Sequence, residues 1–268
     1  MSGGSLRIGV EAVALCGPGL PDWERGLPVL TGSAPYQSGP VALAPPPQLS
    51  PGERRRSVPS VRLALHVGTA AVQQSGLDPA SLPAVFASSG ADGETIDNIL
   101  ATLTTPTREV SPTRFHNSVH NAPSGYWGLA VRSQEVVSSI SCHDASFAAG
   151  LLEAAVQVVT DARPVLLVAY DLPYPGPLER FRPIEGSFGV AAVLSHTPSD
   201  RALARLLIRV GETDGDLSGC ADSGLETLRC RNPAARSLPL LIALARRTAA
   251  PIRLDLGRGT LDIQVEPC

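Results

Sequence analysis

The spacing of apolar residues changes period several times along the chain, and each change marks an element. Residues 6–16, LRIGVEAVALC, alternate and predict a strand. Residues 17–53 carry so much Pro and Gly that long helices are ruled out, which predicts an ordered excursion or a flexible loop. Helical spacing returns over 57–76 and stops at Gly76, a C-cap residue. Residues 84–93, AVFASSGADG, read as a short buried strand with a Ser/Gly exit. A helix follows over 94–105, stopped by Pro106, and 111–131 reads as a polar loop leading into a small helix.

A strand is predicted over 135–141. The next stretch, 145–160, is apolar on nearly every face, which predicts a helix buried all round. Residues 163–171 and 186–195 are continuous apolar runs of the kind found in central parallel strands. Then come a strand at 205–212, an acidic loop at 212–224, a helix near 233–248, and two alternating strands about a Gly-containing turn at 251–267. Strands alternating with helices predict an α/β layered fold with a largely parallel sheet, in one domain.

Composition narrows the chemistry. Of the 268 residues 43% are hydrophobic but only 4% aromatic, so the core is aliphatic and alanine-based. The net charge of −3 gives no electrostatic reason to expect nucleic acid or an anionic membrane. No apolar run approaches the roughly 20 residues that span a bilayer, and the N-terminus lacks the pattern of a signal peptide. These readings predict a cytoplasmic chain. All 22 basic residues are Arg, so no chemistry that needs a lysine amine is open to it. The 5 cysteines are widely spaced without a CxxC pair, which predicts neither disulfides nor a zinc site. No metal and no cofactor is expected. His116 and His120 stand four apart, but in a loop and without a suitably spaced carboxylate.

The densest candidate chemistry lies at 141–145, SCHDA, where a strand turns into the apolar helix. A thiol there gains thiolate character from the helix N-terminus, so Cys142 is a candidate nucleophile, with His143 beside it. The plain alternatives are a small buried Cys142, a hydrogen-bonded His143, and Asp144 as the N-cap of the helix.

The segments SPTRFHNSVHNAPSGYWGLAV, SSISCHDASFAAGLLEAA, VLLVAYDLPYP and EGSFGVAAVLS resemble the first half of β-ketoacyl synthases of the thiolase fold. The resemblance implies a thiolase-like α/β/α fold, covers about 55–195, and fades after about 212 into a shortened, altered second half (196–268). In active synthases two small residues precede the nucleophilic Cys. On that pattern Cys142 and His143 take the small positions and Asp144 falls where the nucleophile belongs. A carboxylate is a poor replacement for a thiolate in condensation. The family's two later histidines and its lysine also have no counterparts. His196 lies in LSHTPSD, and GRGT (257–260) offers no imidazole.

The resemblance is greatest to chain length factors, the partners of catalytic ketosynthases in type II polyketide systems, and within them to those of aryl polyene and xanthomonadin-type clusters. It implies a heterodimer with a ketosynthase, with an acyl carrier protein served by the complex, and a chain that shapes the acyl tunnel of a polyketide or fatty-acid-like synthesis. Strand residues Val136, Val137 and Ile140 would form the pairing edge. Phe115, His116, Asn117, His120, Asn121, Tyr126, Trp127 and Phe147 are candidates for interface or tunnel lining, Phe115, Tyr126 and Trp127 being equally plausible as core anchors. The competing expectation is a thiolase-fold acyl hydrolase or acyltransferase using Cys142 with a histidine.

Overall fold

A computed structural model describes residues 4–212 and 215–268. Thr213 and Asp214 of the expected acidic loop, and the first three residues of the N-terminus, lie outside the described residues. Eight strands form one sheet in the order β3-β2-β4-β5-β1-β6-β8-β7. They are β1 (Leu6–Cys16), β2 (Ala84–Ala87), β3 (Val137–Ile140), β4 (Val165–Asp171), β5 (Phe188–Ser195), β6 (Ala204–Gly211), β7 (Ala250–Asp255) and β8 (Thr260–Pro267). The helices are α1 (Trp23–Thr31), α2 (Pro51–Arg56), α3 (Pro59–Ser75), α4 (Gly93–Leu103), α5 (Pro112–Asn117), α6 (Ala122–Val131), α7 (Ser146–Asp161), α8 (Ser223–Arg231) and α9 (Leu238–Arg246).

The expected largely parallel sheet is corrected: β2 is parallel to β3 and β4, and the other five pairings are antiparallel. The continuous apolar runs of β4 and β5 signal burial on both faces, which their antiparallel pairing shares with a parallel sheet. The order β4-β5-β1-β6-β8-β7 is palindromic about the antiparallel β1–β6 pair. Among the described residues no strands beyond β7 correspond to β2 and β3.

β1 joins the two halves. Its first residues pair with β6, its later ones with β5, and the register shifts between Val10 and Ala12. Glu11 is the bulged residue. Its carboxylate accepts bonds from the Ser195 hydroxyl (2.5 Å) and the Ser199 N–H (3.0 Å), fixing the turn after β5. One extra residue swaps the faces of a strand. Ile8 and Val10 therefore share a core with Val13 and Leu15, whereas Ala12, Ala14 and Cys16 face the other core.

These two cores differ in extent. One, under α7 and α9, runs the length of the sheet. The other, under α3 and α6, covers only the strands from β2 to the end of β1. The fold is thus α/β/α over the first half and α/β over β6, β8 and β7, where strand burial alternates.

Further expectations are revised locally. The excursion at 17–53 contains α1, capped by Asp22 accepting from Arg25 N (2.8 Å), despite Pro28 in its interior. α2 closes the excursion, α5 forms within the loop at 111–131, α8 follows the acidic loop, and 233–248 is a 3-10 turn plus α9. α7 is not buried all round: Val156 is 42% exposed, with Leu152, Gln157 and Val159 only half-buried beside it. α7 approaches β2 closely through Gly150, where an added Cβ would lie 2.6 Å from that of Ala87.

Candidate functional site

The corner between β3 and α7 is built by short-range bonds. The Cys142 N–H donates to Ser146 Oγ (3.0 Å), and that hydroxyl donates to His143 O (2.7 Å). His143 adopts a left-handed backbone at φ +49°, uncommon for a residue with a side chain. His143–Ala145 form a 3-10 turn that delivers the chain into α7. Asp144 sits at the tip.

The cap expected of Asp144 is corrected. Helix α7 has Ala145 at its N-cap, without a side-chain bond. The Asp144 carboxylate instead accepts from Arg182 Nη2 at Oδ1 (2.9 Å) and from Arg236 Nη2 at Oδ2 (3.2 Å). Arg182 comes from the loop between β4 and β5. Arg236 comes from the turn before α9 and also approaches Asp255 Oδ2 (3.7 Å) at the end of β7. Two guanidiniums on one carboxylate occupy its lone pairs and offset its charge, which leaves it unsuited to attack on a thioester.

At the tip, His143 Nδ1 lies 3.6 Å from Asp144 Oδ1. Arg182 Nη1 donates to His143 Nε2 (2.6 Å). His196 follows β5 at the end opposite Phe188, the residue paired with Asp171. An eight-residue strand is roughly 26 Å long at ~3.3 Å per residue, which separates His196 from the corner. Cys142 points elsewhere, toward the β7–β8 turn: a Cβ added to Gly257 would lie 3.9 Å from its Sγ.

The other candidates divide by location. Tyr126 and Trp127 are fully buried core residues under α3, with Trp127 against Phe86 at 6.3 Å between ring centroids. Phe147 is buried in the opposite core, and buried Asn117 holds Arg56 O (2.9 Å). These four pack within the chain. Phe115 is 66% exposed and Asn121 is exposed. The two loop histidines have different partners: His116 packs edge-on against Tyr126, and His120 Nε2 bonds Ser88 O (3.0 Å). Val136 is 69% exposed, Val137 and Ile140 are half-buried, and β3 forms one edge of the sheet.

Sequence reading missed Asp171, at the end of β4. Its Oδ1 accepts from the Ser89 hydroxyl (2.6 Å), the Ser89 N–H (2.8 Å) and the Ser88 hydroxyl (3.2 Å). Its Oδ2 is buried without a hydrogen-bond partner among the described residues. Burial pushes its acid up to about 7, against the lowering effect of the serine bonds and Arg182. The signal available was an acid ending a wholly apolar strand, where a buried carboxyl is expensive.

The comparisons with known proteins agree with this geometry. Structural likeness extends over 97% of this chain and 99% of a chain from "Ketosynthase (ApeO) in Complex with its Chain Length Factor (ApeC) from Xenorhabdus doucetiae", at 21% identity and TM-score 0.72. It extends over 99% of this chain and 100% of a chain from a type II polyketide synthase acyl-carrier protein in complex with its ketosynthase (AntDE:AntF), at 10% identity and TM-score 0.73. For "The ishigamide ketosynthase/chain length factor" the shares are 97% and 98%, at 12% identity and TM-score 0.71. These likenesses establish the fold, a thiolase-like ketosynthase fold. Among curated proteins none matches. Residues 31–228, beyond both limits of the resemblance read from sequence, match the family described as Beta-ketoacyl synthase, N-terminal domain, and the chain belongs to that family.

Proposed function

We propose that this chain is a non-catalytic, chain-length-factor-type subunit that pairs with an active ketosynthase. The observation that carries the reading is that Arg182 and Arg236 hold Asp144, the residue the family resemblance puts at the nucleophile position. The catalytic Cys and histidines would be the partner's. This chain contributes tunnel wall and stability to acyl or polyene elongation of the aryl polyene type, and a carrier protein brings substrate to the complex. The near-complete likeness, in both directions, to chains from ketosynthase/chain length factor structures supports the reading. No helix among the described residues is long and apolar enough to cross a membrane; the reading places the complex in the cytoplasm, as one domain per chain.

The β3 edge supplies the pairing surface. Ala84 N bonds Val136 O (3.1 Å) and Ser88 N bonds Ile140 O (3.1 Å), so Val136, Ser138 and Ile140 face β2. By alternation the backbone groups of Val137 and Ser139 point away from the sheet. An edge of this kind recruits another chain.

Co-expression with the ketosynthase of its own organism tests the proposal. A one-to-one complex is expected, with product formed only when both chains are present. Cys142→Ala should leave product formation intact. A well-behaved monomer unaffected by the ketosynthase overturns the pairing, and product lost on Cys142→Ala in an intact complex favours the thiol enzyme.

A further inference from the structure

The loop between β4 and β5 carries an aromatic that the pairing reading does not use. Phe181 is 86% exposed, the highest value of any large apolar side chain among the described residues. A lone apolar residue on a surface is ordinary. What sets Phe181 apart is how firmly its backbone is held. Before it, a 3-10 turn bonds both Phe181 N and Arg182 N to Leu178 O (3.0 Å each). After it, Ile184 is buried, Glu185 N bonds Arg231 O (3.0 Å), and Asn232 Nδ2 bonds Gly186 O (2.9 Å). Next to it, Arg182 bonds Asp144 and His143 at once.

Those two partners place the ring. His143 and Asp144 follow β3 within four residues, so Arg182 ties Phe181 to the C-terminal end of the open edge. Val136 stands exposed at the other end. The edge is thus bracketed by two exposed apolar side chains, one of them on a braced loop. A side chain held in place before docking loses little freedom on binding, and buried aromatics dominate interface energetics.

We propose that Phe181 is an anchor of the interface with the ketosynthase subunit, and that Asp144, at the former nucleophile position, is the positioning residue that braces it through Arg182. This rests on the pairing reading and gives the aspartate a task. The occupant is the ketosynthase because the ring continues the edge assigned to that subunit. Of its immediate flanks, Arg182 is paired with Asp144 and Arg180 stands next to Glu179, so the loop presents little net charge to attract an acidic carrier protein.

The test uses the co-expressed complex. With p-benzoylphenylalanine in place of Phe181, irradiation is expected to cross-link this chain to the ketosynthase. A cross-link to the carrier protein or to a second copy of this chain, or none at all, overturns the anchor. Phe181→Ser is expected to weaken pairing roughly 30-fold or more without lowering the melting temperature of the isolated chain. Asp144→Asn should weaken it roughly threefold to tenfold, but less than twofold in a Phe181→Ser background, because residues acting through one contact are not additive. Independent losses overturn the brace. Val136→Asp separates the two ideas. Pairing that depends on Val136 but not on Phe181 removes only the anchor, whereas no complex with the unaltered chain removes the pairing reading itself.

Discussion

The two ends of the sheet solve the same problem in opposite ways. At one end β3 leaves the outward backbone groups of Val137 and Ser139 unclaimed by any strand, with Val136 exposed beside them. At the other end β7 is blunted. Arg253 N donates to Ser218 Oγ and Arg253 O accepts from Ser218 N (2.9 Å each), so residues 251, 253 and 255 face outward, and the first of these is Pro251, with no N–H. Proline and a covering loop protect a strand edge against pairing. The contrast runs inward as well. The half ending in β3 is buried on both faces, and the half ending in β7 keeps one face wet. One edge is protected and the other is open, which is the asymmetry the proposed pairing requires.

The largest effect expected from this difference is a pH dependence confined to the doubly covered half. Asp171 has its acid pushed up from 3.8 to about 7 by burial, with Arg182 as the cation facing it and Tyr170 as the neighbouring acid. Its folded pKa is raised, so its contribution is complete below about pH 4 and is lost as pH rises through about 7. At ~1.4 kcal/mol per unit, three units correspond to about 4 kcal/mol. Urea unfolding from pH 4 to 8 should show the unaltered chain losing that much more stability than Asp171→Asn. Parallel curves would mean that Oδ2 is solvated.

Next in size is a pair of truncations. Leu167→Ala in β4, buried between both helical layers, is expected to cost about 3 kcal/mol. Leu207→Ala, on the open face of β6, is expected to cost less than about 1 kcal/mol. Similar losses at both sites would show that something covers the second half in solution.

This division was partly visible in the sequence. Alternation over 251–267 and unbroken apolar runs over 163–171 and 186–195 report one-sided and two-sided burial, and the strands are placed accordingly. Strand direction was not legible, since burial on both faces looks the same in parallel and antiparallel sheets. α1 was hidden because the Pro and Gly content of 17–53 argues against long helices, and α1 has only 9 residues. At the corner the partners of Asp144 were not legible. Arg182 lies 38 residues away and Arg236 lies 92 away, and only the closing of the sheet brings them to one carboxylate. The proximity of Asp144 to a helix start suggested a local cap, and tertiary ion pairs took its place.

A charge on the open edge should act on pairing rather than on folding. Val136 is exposed, whereas Ile140 packs partly into the core, so Val136→Asp is the cleaner substitution. It is expected to weaken the ketosynthase complex about 100-fold, because a carboxylate would be desolvated without a partner, with little change in the melting temperature of the chain alone. Surface plasmon resonance against immobilised ketosynthase reads the first quantity and calorimetry the second. Unchanged affinity would place the interface elsewhere.

The smallest expected change tests the blunted edge. Pro251→Val restores an outward N–H on β7 and leaves the inward ladder to β8 intact, since Ala250, Ile252 and Leu254 make those bonds. Stability should move by no more than about 0.5 kcal/mol, as for most surface substitutions. Association is the property expected to change. The measurement belongs in the ketosynthase complex, where the proposed pairing covers β3 and leaves β7 for any new contact. Sedimentation should show the Pro251→Val complex dimerising further as concentration rises, and more so when Ser218→Gly also removes the hydroxyl that holds Arg253 N. If both variants sediment as the unaltered complex does, the remaining loop protects the edge by bulk alone, and the missing N–H of Pro251 is incidental to it.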